Sequence, residues 1–172
     1  MTEITLPDLI LLSDFDGDYH AYMDAVYAIF EVDFIKLKPI FRGKRLGLKY
    51  HPETHGKAYT FYHMTHEGHD EANRQPDLRR CERLPWARPV IENCDAWNLK
   101  IWRQVRKGKN RICIWLELED ESDYFLVLDD RKDYILPWTA FVLEHSHEKK
   151  KKQKEYNEYL KGLEMQEPPS EA

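Results

Sequence analysis

Between residues 97 and 144 the chain leaves few options for its fold. WNLKIWRQV (97–105), RICIWLELE (111–119), YFLVLDD (124–130) and YILPWTAFVLE (134–144) are four runs rich in Ile, Val, Trp and Tyr, separated only by RKGKN, DESD and RKD. Branched and aromatic side chains suit a pleated, half-buried surface. Connections this short can join only antiparallel neighbours, because a parallel crossover needs a dozen residues or more. The spacing predicts a four-stranded antiparallel meander.

Helical and loop signals precede and follow this block. Tyr19, Tyr22, Met23, Val26, Ile29 and Phe30 recur at helical spacing behind Asp16 and Asp18, which predicts a capped amphipathic helix over 17–31. Two strands, 44–50 and 58–64, are expected as a hairpin around a turn rich in Pro, Thr and Gly. Residues 65–76 read as a loop, and 77–94 as two short helical pieces interrupted by Pro85 and Pro89. From Ser146 to Met165 the chain is charged and helical by propensity, and QEPPSEA has the composition of a disordered end. The expected fold class is α+β: N-terminal helices packed on the meander within one domain (1–145), a charged C-terminal helix (146–165) and a disordered tail (166–172).

Cys81, Cys94 and Cys113 form no CxxC pair and leave an odd thiol, which fits a reducing, cytoplasmic setting better than a disulfide framework. No stretch approaches the roughly 20 apolar residues that span a membrane, so no membrane partner is expected. The net charge of −5 hides a strong asymmetry. Residues 1–36 hold eight acids against Lys36 alone, whereas Arg74 to Arg111 hold eleven Lys or Arg against four acids. A basic island sits mid-chain, and such an island is the footprint of an acidic or phosphate-bearing partner.

Two metal readings arise and are set aside. Asp14-x-Asp16-x-Asp18 behind an apolar run imitates a magnesium phosphatase loop, but that chemistry needs a parallel sheet, a later Lys and further acids at a strand end. Acids ahead of a helix are accounted for by its free amide groups and dipole. His63-x-x-His66-x-x-His69 has zinc-like spacing, yet no cysteine lies close enough to complete a familiar set. Neither a metal nor any other cofactor is expected.

His63 closes an aromatic run just upstream of the island. It is either a core histidine satisfied by a neighbour or a group that moves protons beside a phosphate. Within RQPDLRRCERLPWARP, Arg79 and Arg83 share a helix face while Arg80 points elsewhere, and any of them could grip a phosphate or pair with Asp77 and Glu82. Trp86 and Arg88 are further candidates for contact with an unpaired base and its backbone.

The ordered cues GKRLGL, GKAYTFYHMTHEG, RQPDLRRCERLPWARPVIEN, ICIWLEL, YFLVLDDR and ILPWTAFVL, spanning residues 41–143, resemble the phage-associated, RelE-like nucleases of the Barnase-EndoU-colicin-RelE superfamily. The resemblance implies N-terminal helices on a four-stranded antiparallel sheet. It also implies metal-independent cleavage of RNA, in which the ribose 2′-hydroxyl attacks the adjacent phosphate and leaves a 2′,3′-cyclic end. Carried onto this sequence, it makes His63 the general acid or base and one of Arg79, Arg80 and Arg83 the phosphate holder. Thr139 becomes a hydroxyl near the substrate and Arg131 a second phosphate ligand, and a toxin role with an antidote or immunity partner is implied as well. The acidic first helix and low net charge depart from that pattern. The competing expectation is a non-catalytic nucleic-acid- or protein-binding module, with Lys149–Lys152 as an added electrostatic contact.

Overall fold

Four strands form where the apolar runs predict them: β5 (Lys100–Arg106), β6 (Lys109–Leu116), β7 (Asp123–Asp130) and β8 (Ile135–Leu143). They make one antiparallel sheet in the order β5-β6-β7-β8, in a computed structural model that describes residues 3–70 and 73–166. The fold is α+β. The β5–β6 connection is the two-residue turn Lys107–Gly108 with both φ angles positive, the geometry that matches the twist of the flanking strands. β5 starts three residues later than expected, with Trp97 buried in the turn before it.

Period-two alternation sorts the side chains onto two faces. Ile112, Ile114 and Leu116 of β6, with Tyr124, Leu126 and Leu128 of β7, join the larger core. That core is closed by α1 (Tyr19–Phe30) and α4 (Leu84–Asn93), through Tyr22, Val26, Phe30, Ala87, Val90 and Ile91. Cys113, Trp115, Phe125 and Val127 point the other way and, with Trp102, form a second cluster under α5 (Ser146–Gln166). β7 is buried on both faces, as a strand between two layers must be.

The helices begin and end for identifiable reasons. Asp18 caps α1 by accepting from Ala21 N at 3.1 Å, and Asp14 accepts from Leu11 N at 3.2 Å, so the opening acids terminate local backbone. Beyond Phe30, α1 continues as a π-helical segment, Glu31–Lys36. α3 (Leu78–Glu82) is capped by Asp77, which accepts from Arg79 N and Arg80 N. The two expected helical pieces are present, but the single break falls at Arg83, just ahead of Pro85, and Pro89 lies inside α4. α5 is pinned across the sheet by Tyr156 against Trp102 (ring centroids 5.6 Å), Lys100 Nζ donating to Gln153 Oε1 (2.6 Å) and Lys149 Nζ beside the buried Asp123 (3.3 Å).

The expected hairpin of 44–50 with 58–64 does not form. β1 (Ile40–Phe41) pairs with β2 (Lys44–Arg45), and residues 59–65 are instead the helix α2 (Tyr59–Thr65), which lies along β8. Tyr59, Thr60, Phe61, His63, Met64 and Thr65 are all buried, so no alternation marks the segment and a short helix enclosed on nearly every side reads like a strand. Residues 46–50 stay extended, with Gly47 N donating to Ile135 O and Thr60 N donating to Lys49 O. The expected loop 65–76 contains a small ribbon, β3 (His66–Glu67) with β4 (Gln75–Pro76). All three cysteines are free and buried. The C-terminal helix, expected over 146–165, runs one residue further to Gln166, and residues 167–172 of the expected tail lie outside the described residues. No helix among the described residues is long and apolar enough to cross a membrane.

Candidate functional site

α5 leaves one end of the second sheet face uncovered, and a cavity of about 420 Å³ occupies it. Register decides its lining. Arg106 stands opposite Lys109 and Gln104 opposite Arg111, so these side chains share the face that carries Cys113 and Val127. Arg106, Lys107, Lys109, Arg111 and Lys152 surround the space, and no carboxylate lines it among the described residues. Trp138, Phe125 and Phe141 supply its apolar walls.

A β-bulge shapes the β8 side. Leu128 pairs with Pro137 and Val127 with Thr139, so Trp138 is the extra residue. Pro137 has no N–H to give to a ladder, and β8 is an edge strand, the setting in which proline and bulges are tolerated. The bulge brings Trp138 onto the same face as Thr139, where the Arg111 guanidinium carbon lies 4.2 Å from its ring centroid. Arg111 Nη1 is buried, makes no hydrogen bond and stands 3.2 Å from Asp129 Oδ1 as an off-line ion pair. Burial pulls the Arg111 guanidinium below its usual pKa, opposed by the Asp129 carboxylate.

His63 is on the far side of Trp138. Its ring is 4.2 Å from the indole and 5.7 Å from Tyr59, and Nδ1 lies 2.7 Å from the Trp138 carbonyl, which can only accept, so Nδ1 carries the proton. At 7% exposure it is a buried histidine that clamps α2 to the bulge. His63 lines neither the sheet cavity nor the one that adjoins it.

Of the three island arginines, one reaches the sheet. Arg80, its side chain 12% exposed, donates to Thr139 Oγ1 at 3.1 Å and His66 O at 2.9 Å while Nε pairs with Asp77 at 3.1 Å. Arg80 and Thr139 are therefore brought together with His63 on consecutive residues of the bulge, but as a tie between α3 and β8 with the guanidinium already engaged. Arg79 pairs with Glu144 at 2.7 Å on the surface, and Arg83 folds back on Arg79 O and Glu82 with its guanidinium over Trp86. Trp86 lies in the core: it is buried, donates Nε1 to Pro7 O at 2.7 Å and packs edge-on against Tyr124. Arg88 faces Asp33 and Glu92 beside the opposite core, away from the sheet cavity. Arg131 holds the buried Asp129 at 2.9 Å and so braces Arg111 indirectly.

A second cavity, about 430 Å³, adjoins the first and shares Arg106, Phe141 and Lys152 with it. Here the charges are mixed: Arg79, Arg80 and Lys151 face Glu67, Asp77, Glu144 and Glu148, with His145 among them. Sequence reasoning missed His145 and, although it counted Arg106, Lys107, Lys109 and Arg111 in the basic island and Lys152 in the lysine run, it did not single them out as one converging set. The signal available was the hairpin RKGKN, whose flanking residues must share a face once the strands pair. Compared with family models, curated proteins and solved structures, the chain gives no match, so the likeness to RelE-like nucleases rests on the residues quoted for it.

Proposed function

We propose that this protein binds RNA through the uncovered end of its sheet. The observation that carries the reading is the concentration of five cations around one cavity with no carboxylate in its described lining, in a chain whose net charge is −5; Arg111 is paired with Asp129, and Arg106 and Lys152 with Glu155, outside that lining. Phosphate oxygens are the natural partners of such a set, and Arg111, braced by Trp138 and Asp129, is its rigid member. A base can extend the column formed by His63, Trp138 and Arg111 by stacking on the guanidinium plane. The resemblance to RelE-like nucleases supports RNA as the partner.

Metal-independent cleavage is the second reading, and it is favoured by the adjoining cavity, whose lining includes His145 and Glu148 together with Arg106 and Lys152. There His145 takes the proton of a 2′-hydroxyl as its oxygen attacks phosphorus. Arg106 and Lys152 stabilise the five-coordinate phosphorane, and the bond to the 5′-oxygen breaks as that oxygen receives, through a solvent water, the proton held by the His145 imidazolium, leaving a 2′,3′-cyclic phosphate and a 5′-hydroxyl. Fluorescence anisotropy of a labelled single-stranded RNA in EDTA tests both readings. For about four neutralised phosphates log K should fall with log salt at a slope of about −3, and no binding at low salt contradicts the reading. Cleavage predicts cyclic ends in the same tube, lost in His145→Ala and kept in a folded His63→Gln; binding with intact RNA leaves a binding module.

A further inference from the structure

A third cavity, about 500 Å³, belongs to neither of these and lies between α1, α2 and the β3–β4 ribbon. Its size is that of a small-molecule site. Phe61 and Met23, both nearly inaccessible, give it an apolar base. Tyr62 and His66 form a parallel wall, their rings 4.3 Å apart and inclined by 29°. Stacked rings present a flat surface, and flat surfaces select flat ligands.

The two long cationic side chains at this cavity are both held by the protein. Lys57 Nζ pairs with Asp24 at 2.9 Å, and the Arg74 guanidinium donates to the carbonyls of His63, His66 and Gly68. His66 is held neutral: burial, reinforced by Arg74, His55 and Arg80, pulls its pKa down to about 4, against a hydrogen bond at the Tyr62 backbone that pushes it up. Asp24 lines the same cavity and holds Lys57, and the Arg74 guanidinium is turned to backbone carbonyls, so a neutral ligand with acceptors suits the enclosed part better than a phosphate. Polar capacity remains nevertheless. Arg74 Nε is buried with no partner, a donor that an acceptor on the ligand would satisfy. The exposed Gln75 carries an amide with both donors and an acceptor, and its Nε2 makes a long 3.4 Å contact with Asn73 O. A planar, uncharged ring with donors and acceptors along its edge meets each of these conditions.

We propose that this cavity is a nucleobase pocket, in which the ring packs against the Tyr62–His66 wall and its edge is read from the Arg74 and Gln75 side. The base can come from a free nucleotide or from an unpaired residue of an RNA strand. For the second source the placement is favourable. The ribbon divides this cavity from the mixed-charge one, with His66, Gln75 and Pro76 lining one side and Glu67 and Asp77 the other, and Arg80 ties His66 O to Thr139 on the sheet. Recognition of the base itself stands apart from the RNA reading; only the strand as its source rests on it.

Calorimetric titration of the full chain with the four nucleoside 5′-monophosphates, and with short RNAs differing at one unpaired base, tests the proposal. One base is expected to bind at about millimolar Kd or tighter as the monophosphate, or to raise oligonucleotide affinity by about tenfold over the others. Gln75→Ala, at an exposed position, should abolish that preference, and Tyr62→Leu should weaken it about tenfold in a chain of unchanged circular dichroism. Discrimination among monophosphates that survives R106Q/K107N/K109Q assigns the pocket to free nucleotides even if the RNA face fails. Discrimination seen only within oligonucleotides assigns it to the strand. Absence of any base preference in both arms, or a preference untouched by Gln75→Ala and Tyr62→Leu, overturns it.

Discussion

Replacing Arg106 by Gln, Lys107 by Asn and Lys109 by Gln together is expected to weaken RNA binding on the order of 100-fold at physiological salt and to flatten the salt dependence by about two units of slope. The three side chains flank or form the β5–β6 turn and line the carboxylate-free cavity. Arg106 has a single distant ion pair, 4.0 Å from Glu155, so the substitutions remove charge while leaving packing intact. Asn is chosen at 107 because φ there is +51°, a conformation that Asn tolerates. Anisotropy measured across a salt series reads both numbers. A triple variant with unchanged affinity and slope would move the binding face elsewhere, with the α5 lysines the first alternative.

Trp102→Ala is expected to cost about 3–5 kcal/mol of stability, which for a chain of this size lowers Tm by about 10 °C. Trp102 is 1% exposed and fills the space between Trp115, Phe125 and Tyr156, so its loss opens a cavity and removes the principal aromatic contact of α5. Trp102→Phe should cost much less. The indole Nε1 is buried with no hydrogen-bond partner, and Phe discards that unsatisfied group while keeping an aromatic ring. Chemical denaturation compares the two, and amide exchange along α5 shows whether the helix loosens with the alanine. Equal losses for both substitutions would mean that the sheet and α5 do not depend on this ring.

The sheet was legible because its strands are apolar, closely spaced and joined by turns too short for any crossover, and the Asp18 cap and the charged C-terminal helix were legible for equally local reasons. α2 was not, since burial on nearly all sides erases the period that distinguishes helix from strand. The candidate site was half legible. The basic island was visible as a charge count, but which cations converge depends on register: Arg111 meets Gln104, and Trp138, across the bulge, faces Arg111. Pro137 within the run ILPWTAF was the one local sign of that bulge. The helical arginines drew attention as a cluster, yet Arg79, Arg80 and Arg83 each have carboxylate or carbonyl partners that only the fold supplies. His63 looked like a reactive group next to charge and proved to be a buried brace, a distinction set by the carbonyl of Trp138, 75 residues away.

Photocrosslinking of a 4-thiouridine-substituted RNA to the full chain, with the attached residues located by mass spectrometry, tests the RNA-binding face most directly. Crosslinks are predicted on residues 104–111 and on Trp138 to Phe141, reduced together in R106Q/K107N/K109Q. Crosslinks confined to Lys149–Lys151 and the outer side of α5, or spread evenly over the surface, would contradict the assignment of the uncovered sheet end as the place where RNA binds.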